Sequence, residues 1–417
     1  MNAYELEDSK KIDEWDEQAN GPVNASNIGG NEYDTTTTAP EIKKWDDMNI
    51  DANILRSIYA YGFENPSEIQ KKAIPPMRAS HDVIAQAQSG TGKTGAFVVG
   101  TLSHIDLSKK TTQAIILAPT HELVSQICDV FHNLSKFMDG IVIRKVLGGT
   151  SVTDEMRDLQ NNTPHIVVGC TGRVYDMITR KALPTRNVKL CVLDEADEML
   201  SIGFKEHIYD IFKHLPSNVQ IALFSATMPP SILQLTSKFM RNPVSITMLP
   251  QELNLEGISQ YYIAMNDDYD KLATLKDLFS RLTVSQTIIY ANDVRRVKDL
   301  YDMMNNEGFS VCCIHREMTK QERSNVISDL FSGKYRCLIS SNITARGIDV
   351  QQVRTVINFD IPKSVDVYLH RIGRSGRWGR KGIAINFVTK SDIRQMRTIE
   401  MHYKINIEEM NADIDFS

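Results

Sequence analysis

The sequence has few cysteines and no long apolar run. None of its six cysteines forms a C-x-x-C pair, which argues against a zinc site and a disulfide framework. We therefore expect reduced thiols in a cytosolic or nuclear protein. No apolar stretch approaches the roughly 20 residues of a membrane-spanning helix. The acidic start MNAYELEDSKK lacks the apolar segment of a secretory signal, and we expect none.

The sequence also lacks an excess of basic residues, since 47 Lys and Arg stand against 52 Asp and Glu. Residues 1–40 hold nine acidic and two basic residues, and the rest of the chain is nearly balanced. A balanced body can still carry a local basic groove. The total charge therefore neither supports nor excludes nucleic-acid binding.

Residues 1–40 are rich in Asn, Asp, Glu, Gly and Thr and have no apolar periodicity. This composition predicts a disordered acidic tail. We favour a solubilising role for it. The alternative is that the tail lies over a basic cleft and competes with nucleic acid there.

Short apolar, β-branched runs alternate with helical patterns along the rest of the chain, which predicts an α/β fold with parallel sheets covered on both faces. The ten predicted strands lie at residues 82–87, 113–119, 165–169, 189–197, 220–227, 286–292, 309–315, 335–341, 354–360 and 382–388. They form two series, so we expect two domains, at 41–243 and 257–417. The proline-containing segment 244–256 between them is the predicted linker.

The first predicted strand leads into AQSGTGKT (87–94), followed by an apolar helical stretch. This pattern is typical of a P-loop, with Ala87 at the usual first glycine. Its backbone N–H groups would curl around phosphate oxygens, and the helix would point its positive end at them. Lys93 would reach the β- and γ-phosphates of ATP, and Thr94 would hold Mg²⁺. The loop residues proposed for ATP are Gln88, Ser89, Gly90, Thr91 and Gly92. A simple strand-to-helix turn is the alternative.

Two carboxylates follow a buried strand in KLCVLDEAD (189–197). Asp194 would complete the Mg²⁺ shell, and Glu195 would orient or deprotonate the attacking water. An acidic helix N-terminus would explain the same residues. Their pairing with a P-loop favours the catalytic interpretation.

Three arginines, Arg371, Arg374 and Arg377, recur every third residue in HRIGRSGRWGRKG (370–382). Guanidinium groups suit phosphate oxygens, although a solvated basic loop or a nucleic-acid stripe would have the same composition. Because the motif lies in the second half of the chain, it can reach the P-loop only if the two domains close.

The complete motif set resembles that of the DEAD-box RNA helicases, in the same order and over nearly all of residues 41–417. The matching stretches are GFENPSEIQ (62–70), AQSGTGKT, PTHEL (119–123), GG (148–149), DEAD (194–197), SAT (225–227), ARGID (345–349) and HRIGRSGR (370–377). The resemblance implies two RecA-like domains in tandem and ATP-dependent RNA unwinding. Further stretches such as LDEADEMLSIGF resemble the translation-initiation branch of the family, which implies cytoplasmic location.

The resemblance implies roles for single residues. Gln70 and Phe63 would bind adenine, Asp349 the ribose, and Arg374 and Arg377 the γ-phosphate. His370 would bridge the domains, and Asp197, Ser225 and Thr227 would couple ATP to closure. The residues implied to hold RNA are Pro119, Thr120, Gly148, Gly149, Gly172, Arg173, Asn292 and Ser341. The resemblance also implies a monomer that binds a helical-repeat scaffold resembling initiation factor 4G.

Several positions depart from the family pattern, nearly all of them on the RNA and closure side. They are His121, Cys170, Thr171, Val294, Arg316, Glu317 and Asn342; Tyr290 is a conservative change. Either RNA coupling is weaker than in relatives, or the changes are neutral drift. The same motifs would also serve an ATP-locked RNA clamp that acts as a binding platform. A DNA translocase is a further alternative.

Overall fold

The computed structural model describes residues 42–88, 90–200, 205–247, 258–281, 286–342, 353–375 and 382–410. Within these ranges the chain forms two parallel β-sheets, one after the other, with helices between the strands. The predicted α/β fold with two sheets is confirmed. The predicted tail, residues 1–40, lies outside the described residues.

The first sheet and its helices occupy the first half of the chain. The strands are β1 (Val83–Gln86), β2 (Ala114–Leu117), β3 (Ile143–Val146), β4 (Ile166–Gly169), β5 (Leu190–Asp194), β6 (Gln220–Ser225) and β7 (Val244–Thr247). The helices are α1 (Ala52–Ala60), α2 (Glu68–Arg78), α3 (Lys93–Leu102), α4 (His121–Leu134), α5 (Val152–Asn161), α6 (Thr171–Thr179), α7 (Ala196–Met199), α8 (Lys205–His214) and α9 (Pro230–Thr236). A 3₁₀ turn at Trp45–Met48 precedes them.

The second sheet repeats this plan. Its strands are β8 (Ile258–Ala264), β9 (Gln286–Tyr290), β10 (Val311–Ile314), β11 (Cys337–Ser340), β12 (Val353–Asn358), β13 (Gly382–Val388) and β14 (Glu408–Glu409). Its helices are α10 (Asp268–Arg281), α11 (Val294–Asn306), α12 (Lys320–Phe331), α13 (Val365–Ile372) and α14 (Ile393–Tyr403).

The strand order is the same in both sheets. The first runs β3-β4-β2-β5-β6-β1-β7 and the second β10-β11-β9-β12-β13-β8-β14, with parallel neighbours throughout the described residues. Each strand of the second sheet therefore takes the place of the strand seven earlier. The two halves are copies of one architecture.

Alternate residues of the central strands bury against opposite faces of their sheet. On β2, Ala114 and Ile116 belong to one apolar cluster, while Ile115 and Leu117 belong to another. Helices must cover both faces to bury these residues, which is why the strands are continuous apolar runs. The packing leaves the strands' carboxyl ends as the edge where loops can present functional groups.

All ten predicted strands are present, but the sequence analysis missed β3, β7, β8 and β14. On β7, buried residues alternate with exposed ones, and β3 is also partly exposed. A search for continuous apolar runs passes over such strands. The pairing of β7 with β1 places residues 244–247, assigned above to the linker, in the first sheet.

The composition predicts reduced cysteines and no membrane-spanning helix. The six cysteines all lie among the described residues; none forms a disulfide, and four are buried. Of the helices that the structure describes, none combines the length and apolar character required to cross a bilayer.

Candidate active site

The P-loop connects β1 to α3 through two glycines in the left-handed backbone region. Gly90 has φ 84° and Gly92, the N-cap of α3, has φ 99°. This conformation strongly favours glycine, because a side chain would be strained there. Lys93 opens the helix, is buried, and donates from Nζ to the carbonyl oxygen of Ala87 at 2.7 Å. Ser89 lies outside the described residues.

Gln70 is fixed against the P-loop. Its side-chain Oε1 accepts from the N–H of Ser67 at 2.8 Å, and its Nε2 donates to the carbonyl of Gly92 at 3.1 Å. A Cβ atom built on Gly95 would lie 2.7 Å from this Nε2 and 3.1 Å from the Phe63 ring. The glycine therefore allows Gln70 and Phe63, the two residues predicted to bind adenine, to lie directly against the phosphate-binding helix.

An aromatic cluster supports Phe63. Trp45 is fully buried, and its ring is stacked on that of Phe63, with centroids 6.1 Å apart and planes inclined by 10°. Tyr61 meets Phe63 edge-on at 5.0 Å. Trp45 therefore packs directly against a residue predicted to bind adenine.

The two candidate catalytic carboxylates are buried at the end of β5. Burial, followed by the charge of Glu195, raises the pKa of Asp194 to about 7, although the charge of Lys93 opposes the shift. Glu195 adopts φ 51°, an uncommon conformation for a residue other than glycine. Among the described residues its buried Oε2 has no hydrogen-bond partner. A buried, unsatisfied carboxylate oxygen is suited to accept a hydrogen bond from a water or substrate.

Asp197 contacts Ser225 and Thr227, the other two predicted coupling residues, and also His370, the predicted bridge between the domains. Its Oδ1 accepts from Ser225 Oγ at 2.7 Å, and its Oδ2 accepts from Thr227 Oγ1 at 2.8 Å. The same Oδ2 lies 3.2 Å from Nε2 of His370. His370 is completely buried in α13 of the second half. The structure thus brings together the coupling residues that the sequence predicted, with one contact between the two halves.

One cluster of side chains among the described residues could hold a metal ion. Ligand atoms of Glu195, Asp197 and His370 lie within 4.8 Å of one another. Mg²⁺ prefers oxygen ligands, whereas an imidazole favours zinc and similar ions. The predicted pair of Thr94, half-buried at the start of α3, and Asp194 therefore fits Mg²⁺ better.

The arginines of the HRIGRSGR motif have different environments. Arg374 is buried and its Nε donates to the carbonyl of His370 at 3.2 Å, so it lies beside the contact between the halves. Arg377 and Asp349, the other residues predicted at this side of the nucleotide, lie outside the described residues. Their placement remains a prediction.

Arg371 is completely buried and does not match the phosphate-binding role considered for it. Its guanidinium donates to the side-chain oxygens of Asn292, Asn342 and Asn358 and to the carbonyl of Asp360, at 2.6 to 3.1 Å. It also lies 5.1 Å from the centre of the Tyr290 ring. Burial lowers the pKa of Arg371 to about 10. Arg371 therefore fixes the carboxyl edge of the second sheet.

Two of the residues predicted to bind RNA, Thr120 and Arg173, form interactions within the protein. Thr120 caps α4 by accepting from the N–H of Leu123 at 3.2 Å. Arg173 forms an ion pair with Glu155 and donates to the hydroxyl and carbonyl of Thr150 at 3.0 and 3.1 Å. Because Thr150 follows Gly148 and Gly149, Arg173 holds the loop that contains them.

The remaining predicted RNA residues differ in exposure. Gly149 and Gly172 are exposed, Gly148 and Asn292 are half-buried, and Pro119 and Ser341 are buried. Among the departures, Arg316 is exposed, while Glu317 pairs with Lys298 at 2.7 Å. Among the described residues, Gly149, Gly172 and Arg316 therefore present an open surface here.

Sequence analysis missed a second contact between the halves. Arg323 on α12 lies 3.6 Å from Glu122 on α4, and both side chains are largely buried. Glu122 belongs to the PTHEL motif, which the sequence interpretation assigned to RNA alone. No spacing pattern joins two residues so distant in sequence, so only the folded chain reveals the pair.

Comparisons with known proteins match both halves. The model of the DEAD/DEAH box helicase family matches residues 67–235, and that of the helicase conserved C-terminal domain matches residues 270–379. The chain is 51% identical over 382 residues to the ATP-dependent RNA helicase eIF4A of Phaeosphaeria nodorum, covering 92% of this chain and 95% of that protein.

Solved structures show the same tandem fold. S. cerevisiae Dbp5 bound to RNA and ADP BeF3 superposes with a TM-score of 0.84 at 33% identity, over 89% of this chain and 96% of that one. A Dbp5 variant bound to Nup159, a Gle1 variant, IP6 and ADP gives 0.65 at 31% identity, over 88% and 96%. The arrangement of the two halves thus resembles the RNA-bound structure more closely.

These findings confirm the expected tandem RecA-like domains and the resemblance to initiation factor 4A. The matched models cover both halves, and the relatives are similar over nearly their full length. The chain is a member of the DEAD-box family of ATP-dependent RNA helicases.

Proposed function

We propose that the protein couples ATP hydrolysis to local, non-processive unwinding of RNA duplexes. One observation carries this proposal: buried His370 of the second half meets Asp197 of the DEAD motif at 3.2 Å. This contact brings the second half to the DEAD motif, and it supports a phosphate site that residues of both halves would complete. A site assembled only on closure makes the closed conformation a requirement of the chemistry.

ATP would be held mainly by the first half. Gln70 and Phe63 line the P-loop helix from one side, and Lys93 opens that helix from within the loop. Thr94 and Asp194 would hold Mg²⁺, for which a hydroxyl and a carboxylate are suitable oxygen donors. When bound, this ion would neutralise charge on the phosphates.

Hydrolysis needs a base for water and cations for the phosphoryl group. Glu195 has a buried oxygen free of protein hydrogen bonds among the described residues, and it would orient or deprotonate the water. Lys93 would exchange its present contact with the Ala87 carbonyl for a phosphate oxygen. Arg374 and Arg377 would contribute positive charge from the second half.

RNA would cross both halves at the rim opposite ATP. Contacts would come from the Gly148–Gly149 loop and Gly172 in the first half, and from the loops at Asn292 and Ser341 in the second. Backbone N–H groups and small side chains there would bind sugar and phosphate without selecting sequence. This surface would be shaped by Pro119, Thr120 and Arg173. Thr120 and Arg173 already make hydrogen bonds within the protein.

Closure would unwind a short duplex by bending one strand. The halves approach when ATP binds, and the RNA strand held across both must follow their relative orientation. A bent strand cannot remain in an A-form helix, so nearby base pairs separate. Hydrolysis and loss of phosphate would reopen the cleft and release the strand. Each cycle therefore opens only a few pairs.

The similarity to proteins named eIF4A supports a role in translation initiation in the cytoplasm. The corresponding partner would be a helical-repeat scaffold resembling initiation factor 4G. Binding of such a scaffold to the purified monomer, measured by calorimetry with and without ATP and RNA, tests this part separately.

The proposal is tested by ATP hydrolysis and strand displacement with single-stranded and short duplex RNA, beside the Glu195→Gln variant. We expect RNA, and not DNA, to stimulate hydrolysis, and the variant to bind ATP without turnover. ATP-dependent RNA retention without strand displacement would instead indicate the clamp. Equal stimulation by DNA would indicate a DNA translocase.

A further inference from the structure

We propose that Asp360 is a positioning residue that ties the predicted RNA-facing loop at Asn292 to the helix that carries His370 and is followed directly by Arg374. Asp360 follows β12 and is not part of the motifs identified from sequence. The inference rests on the proposed function, because the roles of Asn292 and Arg374 are part of it.

The carboxylate of Asp360 is buried and engaged on both oxygens. Oδ2 accepts from the backbone N–H of Asn292 at 3.0 Å. Oδ1 accepts from Arg296 Nη2 at 2.6 Å and from Lys271 Nζ at 3.3 Å. Asp360 thereby holds the start of the loop after β9 against α10 and α11.

Asp360, Asn292 and Arg371 form a closed ring of hydrogen bonds. The Asp360 carbonyl accepts from Arg371 Nη1 at 2.8 Å, and Oδ1 of Asn292 accepts from Arg371 Nη2 at 2.8 Å. The remaining side-chain amide of Asn292 donates to the carbonyl of Ile361 at 2.9 Å. A displacement of any member therefore displaces the others, because each is held by two different groups.

The ring reaches the ATP side through α13. Arg371 is preceded by His370, which contacts Asp197, and its neighbour Arg374 donates to the His370 carbonyl. A shift of the Asn292 loop on RNA binding would thus move the helix that completes the phosphate site. Coupling between two sites can be carried by a chain of packed, hydrogen-bonded groups such as this one.

Stability alone is a weak explanation for this network. Lys271 and Asp360 are both almost fully buried, and the desolvation of a buried ion pair offsets much of its attraction. Replacing such a pair by neutral groups is often tolerated, whereas removing one partner is costly. A variant that removes the charges of Lys271 and Asp360, and leaves Arg296 its ion pair with Asp268 at 2.8 Å, therefore separates a positioning role from a stabilising one.

The test compares Asp360→Asn and the double variant Asp360→Asn with Lys271→Met, in the full chain. The matched control is Asp392→Asn, which removes a carboxylate 3.9 Å from the same lysine without touching the ring. Measured quantities are ATP turnover with saturating single-stranded RNA, ATP affinity without RNA, and the melting temperature. If Asp360→Asn does not fold, the RNA-stimulated turnover of the double variant tests the proposal.

We expect RNA-stimulated turnover of the double variant to fall about tenfold, within the usual range of coupling between sites, with ATP affinity changed less than about twofold. Asp392→Asn should match the wild type. Turnover of a folded double variant equal to that of the control would overturn the proposal. If RNA does not stimulate ATP hydrolysis by the wild-type protein, the proposed function is contradicted, and this inference is contradicted with it.

Discussion

Nε2 of His370 lies 3.2 Å from Oδ2 of Asp197, and neither side chain is open to solvent. Asp197 follows β5 of the first sheet, and His370 lies on α13 of the second half. Asp197 is held in turn by Ser225 and Thr227. The contact therefore connects the second half to the strand end that carries Asp194 and Glu195.

Replacement of His370 by glutamine should lower RNA-stimulated ATP turnover by about tenfold or more, because the halves lose a buried contact next to the proposed phosphate site. ATP affinity without RNA should change little, since the P-loop belongs to the first half. Steady-state hydrolysis and ATP titration measure both. His402→Gln, an exposed position on α14, is the control. Unchanged turnover in His370→Gln would remove the contact from the mechanism.

The pair Glu122 and Arg323 should stabilise the closed arrangement by about 0.5–1 kcal/mol, the range of ion pairs outside a fully buried site. Glu122→Gln and Arg323→Gln should each weaken RNA-stimulated turnover, and the double variant should be no worse than either single one. A double-mutant cycle measures the coupling. Strictly additive losses would show that the two residues act independently.

Asn342→Asp should stabilise the second half by about 0.5–1 kcal/mol, because the buried Arg371 guanidinium would gain a charged acceptor in place of the amide oxygen of an exposed residue. Urea unfolding measures the effect, and Asn325→Asp on the exposed face of α12 is the control. A rise in RNA-stimulated turnover as well would support weakened coupling in the natural sequence. Stabilisation with unchanged turnover would favour neutral drift.

The raised pKa of Asp194 predicts a pH dependence of stability. The folded state keeps a proton on this group up to about pH 7, whereas the unfolded state loses it near pH 4. Between these values the folded state binds more protons, so stability falls as pH rises, by up to about 1.4 kcal/mol per pH unit. Urea unfolding of the nucleotide- and metal-free protein at pH 5 and 7 should show this loss. Asp194→Asn should show less of it, and an equal loss would contradict the assignment.

The central strands and the position of the P-loop between β1 and α3 could be predicted from sequence. Strands buried on both faces, such as β2, are continuous apolar runs, and the P-loop has a fixed local spacing. The edge strand β7 was missed because it is buried on one face only. A local sequence pattern is sufficient to predict a feature that depends only on residues close together in the sequence.

The contacts of Arg371, Asp360 and Arg323 could not be predicted in this way. Arg371 belongs to a motif of arginines that sequence composition associates with phosphate, yet its partners are three asparagines from separate loops and strands. The repeated strand order of the two sheets was likewise hidden, because divergent sequences retain an architecture without retaining residues. Such features depend on which strand ends the topology brings together.

The proposed function requires that guanidinium groups of the second half act on ATP bound by the first. Single-turnover hydrolysis with saturating RNA, measured for the wild type, Arg374→Ala and Arg377→Ala beside an ATP-binding assay, tests it most directly. We expect a loss of about 10³-fold or more in rate for each variant, with ATP affinity nearly unchanged. If one variant hydrolyses ATP at close to the wild-type rate, that arginine does not act on ATP. If both variants do, the second half supplies no guanidinium group to the reaction.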